Sequence, residues 1–399
     1  MTDPAAPHDN AETDVDILIV GAGPVGLTLA RALAPGPWRI ALLDRRPRGA
    51  GQADPRALAL AYGARQLLEP LGAWPANTGT PIREIHISQR DGFGRTLIRP
   101  EDYGLPELGA VLRYGALTAA LEGALDRQPR PPTWIAPGEI RRFAALPERA
   151  SVLLADGRTL RPRLVVHAEG TPGDSDDCAA FRYRQHAVIC EAIPREPHRG
   201  RAWERFTPDG PLALLPLGEA YAVVFTVPPE KADALLALDD NAFARALEAQ
   251  FGRSLEIAAC GPRHAFPLAL RLRKALVAPR EVWIGNSAQT LHPVSGQGFN
   301  LGLRDAVELA ERLLASADAA APHAVPDPGA AGPLAAYARG RQPDRLGGAV
   351  FTDAIVRLFS NDLPPLRALR GLGLLALDTL PPLRHTVAKR MLWGARAWF

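Results

Sequence analysis

The sequence predicts an α/β fold with three parts: a nucleotide-binding βαβ unit, an inserted sheet of mainly antiparallel strands, and a helical C-terminal region. Three observations predict it. An apolar run at residues 15–20 (VDILIV) enters Gly21-Ala-Gly23-Pro-Val-Gly26 and then an apolar pattern at helical spacing. From about residue 181 to residue 270 the texture changes to longer alternating strands. At residues 282–302 (VWIGNSAQTLHPVSGQGFNLG) a short apolar run again meets a glycine-rich loop and a helical pattern.

Taken in order, residues 15–20 read as a buried parallel strand. Leu27, Leu29, Ala30 and Leu33 follow at helical intervals, and Pro35, Gly36 and Pro37 end that helix. Residues 38–43 form a second strand closing on Asp44. Residues 56–71 read as a helix, and 82–88 as a strand turning at Arg90-Asp91-Gly92. Residues 112–125 read as a helix. Residues 152–166 read as a hairpin about Asp156-Gly157 that feeds a buried strand. Segments 187–191, 200–207, 211–216 and 221–227 fit a mainly antiparallel sheet, with a helix at 233–251 beside it. Residues 315–333, rich in Ala and Pro, read as a surface loop or linker. Helices follow over 334–359 and through the tail from 366 to 399. Residues 1–13, polar and acidic, read as a disordered leader rather than a signal peptide.

The bulk composition narrows the function. A chain of 399 residues exceeds one small core, so two or three structural units are expected. The net charge is +3 and its basic residues are scattered, which argues against nucleic-acid binding. Cys178, Cys190 and Cys260 lack CxxC or metal-ligand spacing, so they read as thiols in a reducing cytoplasm, with no metal site. No apolar run approaches the ~20 residues of a spanning helix.

The first glycine cluster has a specific chemistry. Gly21 permits a tight turn, Gly23 lets a pyrophosphate approach the backbone, and Gly26 lets the helix pack close to the strand. The helix start offers unpaired N–H groups and a positive dipole end to phosphates. Asp44, 18 residues after Gly26, can accept from ribose hydroxyls. A carboxylate there disfavours the 2′-phosphate of NADP, which leaves FAD or NAD. The second glycine-rich loop lies more than 250 residues further on, and it favours FAD. FAD is long enough to rest its ADP half on the first unit and its isoalloxazine on another loop. Residues 293–300 open a helix expected over 301–314, and N–H groups at that opening suit the flavin edge where negative charge develops.

Several segments carry a family resemblance: DILIVGAGPVGLTLARAL, DPRALAL (54–60), GRAWERFTPDGPLALLPL (200–217), GNSAQTLHPVSGQGFNLGLRD (285–305) and TDAIVRLFSN (352–361). Spread over most of the chain, they resemble the class A FAD-dependent aromatic hydroxylases of the para-hydroxybenzoate hydroxylase fold. Within that class the chain is similar to the ubiquinone-biosynthesis hydroxylases of the 2-octaprenyl-6-methoxyphenol hydroxylase type. The resemblance implies a discontinuous Rossmann-like FAD-binding domain (14–75, 105–170 and 277–330), a substrate domain (76–104 and 171–276) and a C-terminal helical region (331–399). It implies that Gly21, Gly23, Gly26 and Asp44 hold the ADP portion, and that Arg56 and Arg113 contact FAD. Asn286 stands where the broad family has an Asp touching the ribityl chain, and Pro293, Gly296, Gln297, Gly298 and Asn300 line the flavin ring.

The implied activity is hydroxylation of the aromatic ring of a polyprenylated phenol through a C4a-hydroperoxyflavin, with O2 as co-substrate and NAD(P)H or another donor as reductant. The alternatives are a hydroxylase of a smaller soluble aromatic and a non-catalytic flavoprotein scaffold in a biosynthetic complex. His292 reads as a structural residue of its loop or as a polar group reaching the substrate side of the flavin, and His264 and Phe266 read as core residues that can alternatively come near the substrate pocket. Glu169-Gly170 stands for the family's Asp-Gly in a motif that serves both FAD and NAD(P)H; the resemblance implies that Glu169 and Gly170 still bind FAD, while the displaced Ser175 and the lack of an Arg before Arg182 bear on the reductant. The basic and aromatic tail (Arg367, Arg370, Arg384, Lys389, Arg390, Arg396, Trp393, Trp398, Phe399) reads first as a helix packed on its own FAD domain with a solvated basic face, and otherwise as a surface for anionic lipid or a biosynthetic partner. The expected location is cytoplasmic, peripheral to the inner face of the membrane.

Overall fold

A computed structural model describes residues 15–75, 78–171, 177–252, 255–320, 326–361 and 363–394. The leader (1–13), Ser175, Arg396, Trp398 and Phe399 lie outside the described residues.

A six-stranded sheet carries the N-terminal unit. Its order is Val277–Ala278, Glu281–Trp283, Leu164–His167, Ile17–Val20, Ile40–Leu43 and Thr133–Ile135. All pairs but the first are parallel. Parallel strands are covered on both faces, and so their sequences read as continuous apolar runs. On one face Ile17 and Ile19 pack with Leu27, Leu29 and Leu33 of helix α1 (Pro24–Ala32). On the other, Leu18 and Val165 meet Val152 and Leu154 of a three-stranded sheet. That smaller sheet contains the expected hairpin about Asp156-Gly157.

Two expected helices begin with strands instead. Ala57–Ala61 is extended, and only Tyr62–Leu68 (α2) is helical. Gly109–Arg113 pairs antiparallel with it and precedes α3 (Tyr114–Asp126). The sequence ALALA suits either state locally, and the partner strand about 50 residues away decides it.

The second large sheet has nine strands and a core of its own. Cys178–Pro194, at 17 residues, is its longest member. It pairs antiparallel with Ala220–Val227 and His264–Arg273. Arg201–Phe206 pairs parallel with Glu84–Gln89, so the hairpin of Glu84–Gln89 and Arg95–Ile98 is carried into this sheet. The helix expected over 233–251 is two helices, α4 (Pro229–Leu236) and α5 (Asp240–Phe251). They break at Asp239, whose side chain accepts from the Ala242 N–H as an N-cap. Phe243, Leu247 and Phe251 of α5 pack on Val188, Leu212 and Phe225.

The C-terminal part is helical. α6 (Gln297–Asp318) extends into the segment expected as a loop, and α7 (Ala331–Phe359), α8 (Pro364–Thr379) and α9 (Pro381–Trp393) follow. α6 lies beside α1, with Leu303, Leu309 and Leu313 in the same core as Leu27 and Leu29.

Candidate active site

The first loop folds as its glycines require. Gly21 has φ +101° and donates its N–H to the Leu43 carbonyl at 2.7 Å. A Cβ on Gly21 would stand 2.5 Å from the Ala168 carbonyl, and one on Gly26 would stand 2.0 Å from the Gly21 oxygen. Both are impossible contacts with backbone, so neither position accepts a side chain. At Gly23 the nearest atom would be the Tyr114 hydroxyl, at 3.0 Å. The start of α1 has no side-chain cap and no acidic residue in its first turn. Asp44 closes the loop: Oδ2 accepts from the Ala22 N–H and Oδ1 from the Arg46 N–H, each at 2.8 Å.

The second loop lies directly against the first. Added Cβ atoms at Gly285 and Gly302 would meet Val25 at 3.2 and 3.0 Å, so the two glycine segments pack through Val25. Asp305 on α6 anchors this loop, its Oδ2 accepting from the Gly285 N–H at 2.9 Å and from Gln289 Nε2 at 2.6 Å. Gly296 has φ +62° and precedes α6. Asn300 is 2% exposed and fully engaged: Oδ1 accepts from the Ala61 N–H, and Nδ2 donates to the Ala59 and Gly296 carbonyls. Gln297 donates to the Met391 carbonyl at 3.1 Å. At Gly298 nothing lies within 4 Å of an added Cβ, so the first turn of α6 opens onto free space.

The segment carrying Glu169 and Gly170 joins the two loops. Ser287 Oγ donates to the Gly170 carbonyl at 3.0 Å, and Asn286 Nδ2 lies 3.5 Å from Thr171 Oγ1. Gly170 has φ +98° and open space beside it. Glu169 contacts His167 Nδ1 at 3.4 Å, and Glu281 contacts Nε2 at 2.9 Å. Burial disfavours a charge on His167, but these two carboxylates outweigh it and raise its pKa to about 9. The ring is therefore an imidazolium at neutral pH, stacked on Trp283 at 4.9 Å.

The two arginines expected at the cofactor are both held by protein carboxylates. Arg56 pairs with Asp54 at 2.6 Å and lies over the Tyr114 ring at 4.9 Å. Arg113 makes a two-pronged pair with Glu191 of the large sheet, at 2.5 and 3.0 Å. His292 is 1% exposed. Its Nδ1 accepts from the Val294 N–H at 3.1 Å, which leaves the proton of the neutral ring on Nε2. Nε2 is buried with no hydrogen-bond partner among the described residues. Burial alone lowers the pKa of His292 to about 4, so the ring stays neutral. Tyr183 meets it edge-on at 5.1 Å and donates to Asp353 at 3.2 Å. Pro293 caps the short turn Val294–Gly296. His264 and Phe266 lie on the strand His264–Arg273, between Cys178–Pro194 and Gln289–Thr290 in the large sheet, and both side chains are exposed, so, against expectation, neither packs in the core.

Sequence reasoning missed several supporting residues. Arg341 is 2% exposed and binds Asp305 at 2.6 Å, Asp344 at 3.0 Å and Glu308 at 3.3 Å, while Arg304 pairs with Asp344 at 2.7 Å. Burial opposes the charge on Arg341, and the carboxylates overcome it and raise its pKa. The run ARGRQPDR on α7 reads as a solvated face, and only tertiary packing shows it buried. The Asp of GLRD, which follows the glycine loop by a helical turn, was the one sequence signal available.

These residues fit FAD. The first loop has the bare glycine backbone and uncapped helix start that suit a pyrophosphate, with the Asp44 carboxylate beside it, Gly170 and Gly298 leave room for a ligand, and His292 offers a buried donor lacking an acceptor. Comparison with known proteins agrees. A family profile described as FAD binding domain matches residues 148–327, and one described as FAD dependent oxidoreductase matches 16–171. The chain is 35% identical over 388 residues to ubiquinone hydroxylase UbiL of Rhodospirillum rubrum, covering 94% of this chain and 89% of the relative. It is 28% identical over 390 residues to 3-demethoxyubiquinol 3-hydroxylase of Escherichia coli, covering 94% and 97%. In fold it is similar to p-nitrophenol 4-monooxygenase PnpA of Pseudomonas putida, with a TM-score of 0.77 at 17% identity over 96% of this chain and 100% of that one. The chain belongs to the ubiquinone-biosynthesis branch of the class A FAD-dependent hydroxylases, monooxygenases that use FAD, O2 and a reduced electron donor to hydroxylate a phenolic substrate.

Proposed function

We propose that this hydroxylase acts on a phenol bearing a polyprenyl chain, and that His292 orients the ring. The observation that carries the reading is the buried Nε2–H of His292, a donor without an acceptor, beside the loop where the flavin ring is expected. An unsatisfied buried donor is destabilising by roughly 1–3 kcal/mol, so a ligand oxygen that accepts from it gains correspondingly. FAD, when bound, supplies the redox and oxygen-activating chemistry.

The chain's own residues divide the remaining work. Gly21, Gly23 and Gly26 bring backbone N–H groups to the pyrophosphate, and Asp44 faces the ribose. Glu169, Gly170 and Asn286 line the middle of the cofactor. Pro293, Gly296, Gln297 and Gly298 flank the ring and exclude water, and Asn300 acts by fixing that loop to the strand Ala57–Ala61. Arg56 and Arg113 reach the cofactor by exchanging Asp54 and Glu191 for it. The division into an FAD-binding domain (14–75, 105–170 and 277–330) and a substrate domain (76–104 and 171–276) follows from the same reading. No helix among the described residues is long and apolar enough to cross a membrane. A prenylated substrate calls for peripheral contact with the membrane or with a biosynthetic complex.

Product analysis with matched phenols tests the reading. The FAD-loaded protein is expected to hydroxylate a prenylated phenol with a higher kcat/KM than the same ring without the chain. Equal or reversed preference would assign it to a smaller soluble aromatic.

A further inference from the structure

Glu169 combines a clamped backbone with a side chain held by a single residue. The Ala168 N–H donates to the Val20 carbonyl at 2.7 Å, and the Gly170 carbonyl accepts from Ser287 Oγ at 3.0 Å. A Cβ on Gly21 would stand 2.6 Å from the Glu169 nitrogen, so the first glycine loop also lies against this peptide. The main chain here is fixed between the two glycine loops. The side chain is 40% exposed, and its one partner among the described residues is His167, whose Nδ1 lies 3.4 Å away. A glutamate carries one more rotatable bond than the aspartate of the family motif, and each free torsion must be fixed before the carboxylate can serve a ligand. His167 is itself well held. Its Nε2 meets Glu281 at 2.9 Å, across the paired strands Leu164–His167 and Glu281–Trp283. Its ring stacks on Trp283 at 4.9 Å with an interplanar angle of 7°, and the Arg273 guanidinium covers the same indole at 3.7 Å.

We propose that His167 is a positioning residue for the cofactor: as a cation bridging Glu281 and Glu169, it fixes the Glu169 carboxylate for FAD and couples FAD binding to its own charge. An imidazolium has two N–H donors, one for each carboxylate, whereas the neutral ring has one donor and one lone pair. The shorter contact, to Glu281, keeps the donor when a proton leaves. Nδ1 then turns a lone pair on Glu169 and releases it. The charge matters to the cofactor as well, because the cation offsets a carboxylate that would otherwise repel the negative pyrophosphate of FAD. Burial works against the charge, and Glu169 and Glu281 overcome it, raising the pKa to about 9. The charged groups facing the ring are these two carboxylates and, at the Trp283 indole, Arg273, which has Asp177 beside it at 3.5 Å. FAD affinity is therefore steady near neutral pH and falls as pH rises through about 9. The inference rests on the reading of Glu169 as an FAD contact.

Titration of the full-length apoprotein with FAD, followed by flavin fluorescence between about pH 7 and about pH 10, tests it. The wild-type Kd should rise about fivefold across that range. His167→Gln should bind FAD about tenfold more weakly at neutral pH, and its shallow pH curve supplies the background from ionisation of the flavin itself. Glu281→Gln keeps an acceptor for Nε2 and removes a charge, so it should move the fall in affinity toward neutral pH. This variant carries the test should His167→Gln fail to fold, which thermal melts of each apoprotein report. Combining His167→Gln with Glu169→Gln should weaken binding no further than Glu169→Gln alone, because His167 acts through that carboxylate. The inference is overturned if wild type and His167→Gln follow the same pH curve, if Glu281→Gln leaves the fall where it was, or if the two substitutions add. Glu169→Gln that binds FAD as tightly as wild type would instead overturn the reading of Glu169 as an FAD contact, and the inference with it.

Discussion

Arg341 donates through Nε to Asp305 at 2.6 Å, with both side chains 2% exposed. The other Asp305 oxygen holds the Gly285 N–H, so this pair ties the second glycine loop to α7 through α6. Asp344 and Glu308 share the same guanidinium. Replacing Arg341 with Met strips buried Asp305 of its cation and leaves Asp344 with Arg304 and Glu308 with Arg312, which is expected to destabilise the fold by about 3–5 kcal/mol. Urea denaturation of the flavin-loaded protein measures this. A loss below about 1 kcal/mol would show that the network is not under load.

Gly26 and Gly298 separate the requirements of the protein from those of the cofactor. Gly26→Ala forces a methyl into the Gly21 carbonyl, so both fold stability and flavin content should fall. Gly298→Ala meets nothing within 4 Å and replaces a helix-weakening residue. The apoprotein should be unchanged or more stable by up to about 1 kcal/mol, while flavin affinity falls. Titration of apoprotein with FAD, followed by fluorescence, reads the difference.

His167 makes stability depend on pH. Its folded pKa, about 9, lies above the ordinary 6.5, so the stabilisation is complete below about pH 6.5 and is lost as pH rises through about 9. The loss amounts to at most about 3 kcal/mol, and it is reduced because Glu169 is 40% exposed. Thermal melts between pH 6 and 10 should show the decline, and His167→Gln should flatten it.

His292 predicts the opposite pH sense and a kinetic effect. Burial lowers its pKa to about 4, so its contribution is present above about pH 6.5 and is lost as pH falls toward 4. His292→Phe keeps the ring volume and removes the Nε2 donor. It should retain flavin and the fold while hydroxylation slows by about tenfold to a hundredfold. Single-turnover oxidation of reduced flavin with phenol present separates this from a loss of binding.

Much of this architecture is written locally in the chain. Strand, glycine loop, helix and second strand up to Asp44 are contiguous, so each glycine's task can be inferred from its neighbours. The second loop at 285–302 has the same local signature. What the sequence does not reveal depends on distant partners. Ala57–Ala61 is a strand because Gly109–Arg113 pairs with it, and Arg201–Phe206 runs parallel to Glu84–Gln89 across more than 110 residues. Arg341 is buried because three acids on α6 and α7 surround it, although its own segment is among the most polar in the chain. The Glu169 motif is legible as a departure, but the contact of Glu281 with His167 and the charge on that ring emerge only where the strands Leu164–His167 and Glu281–Trp283 pair.

The most direct test is turnover of the purified, FAD-reconstituted protein under isotopically labelled O2, with a reduced nicotinamide donor and a prenylated phenol, analysed by mass spectrometry. The account predicts stoichiometric flavin and one labelled oxygen atom in each ring-hydroxylated product. Protein that cannot be reconstituted with FAD, or product whose new oxygen comes from water, would contradict it.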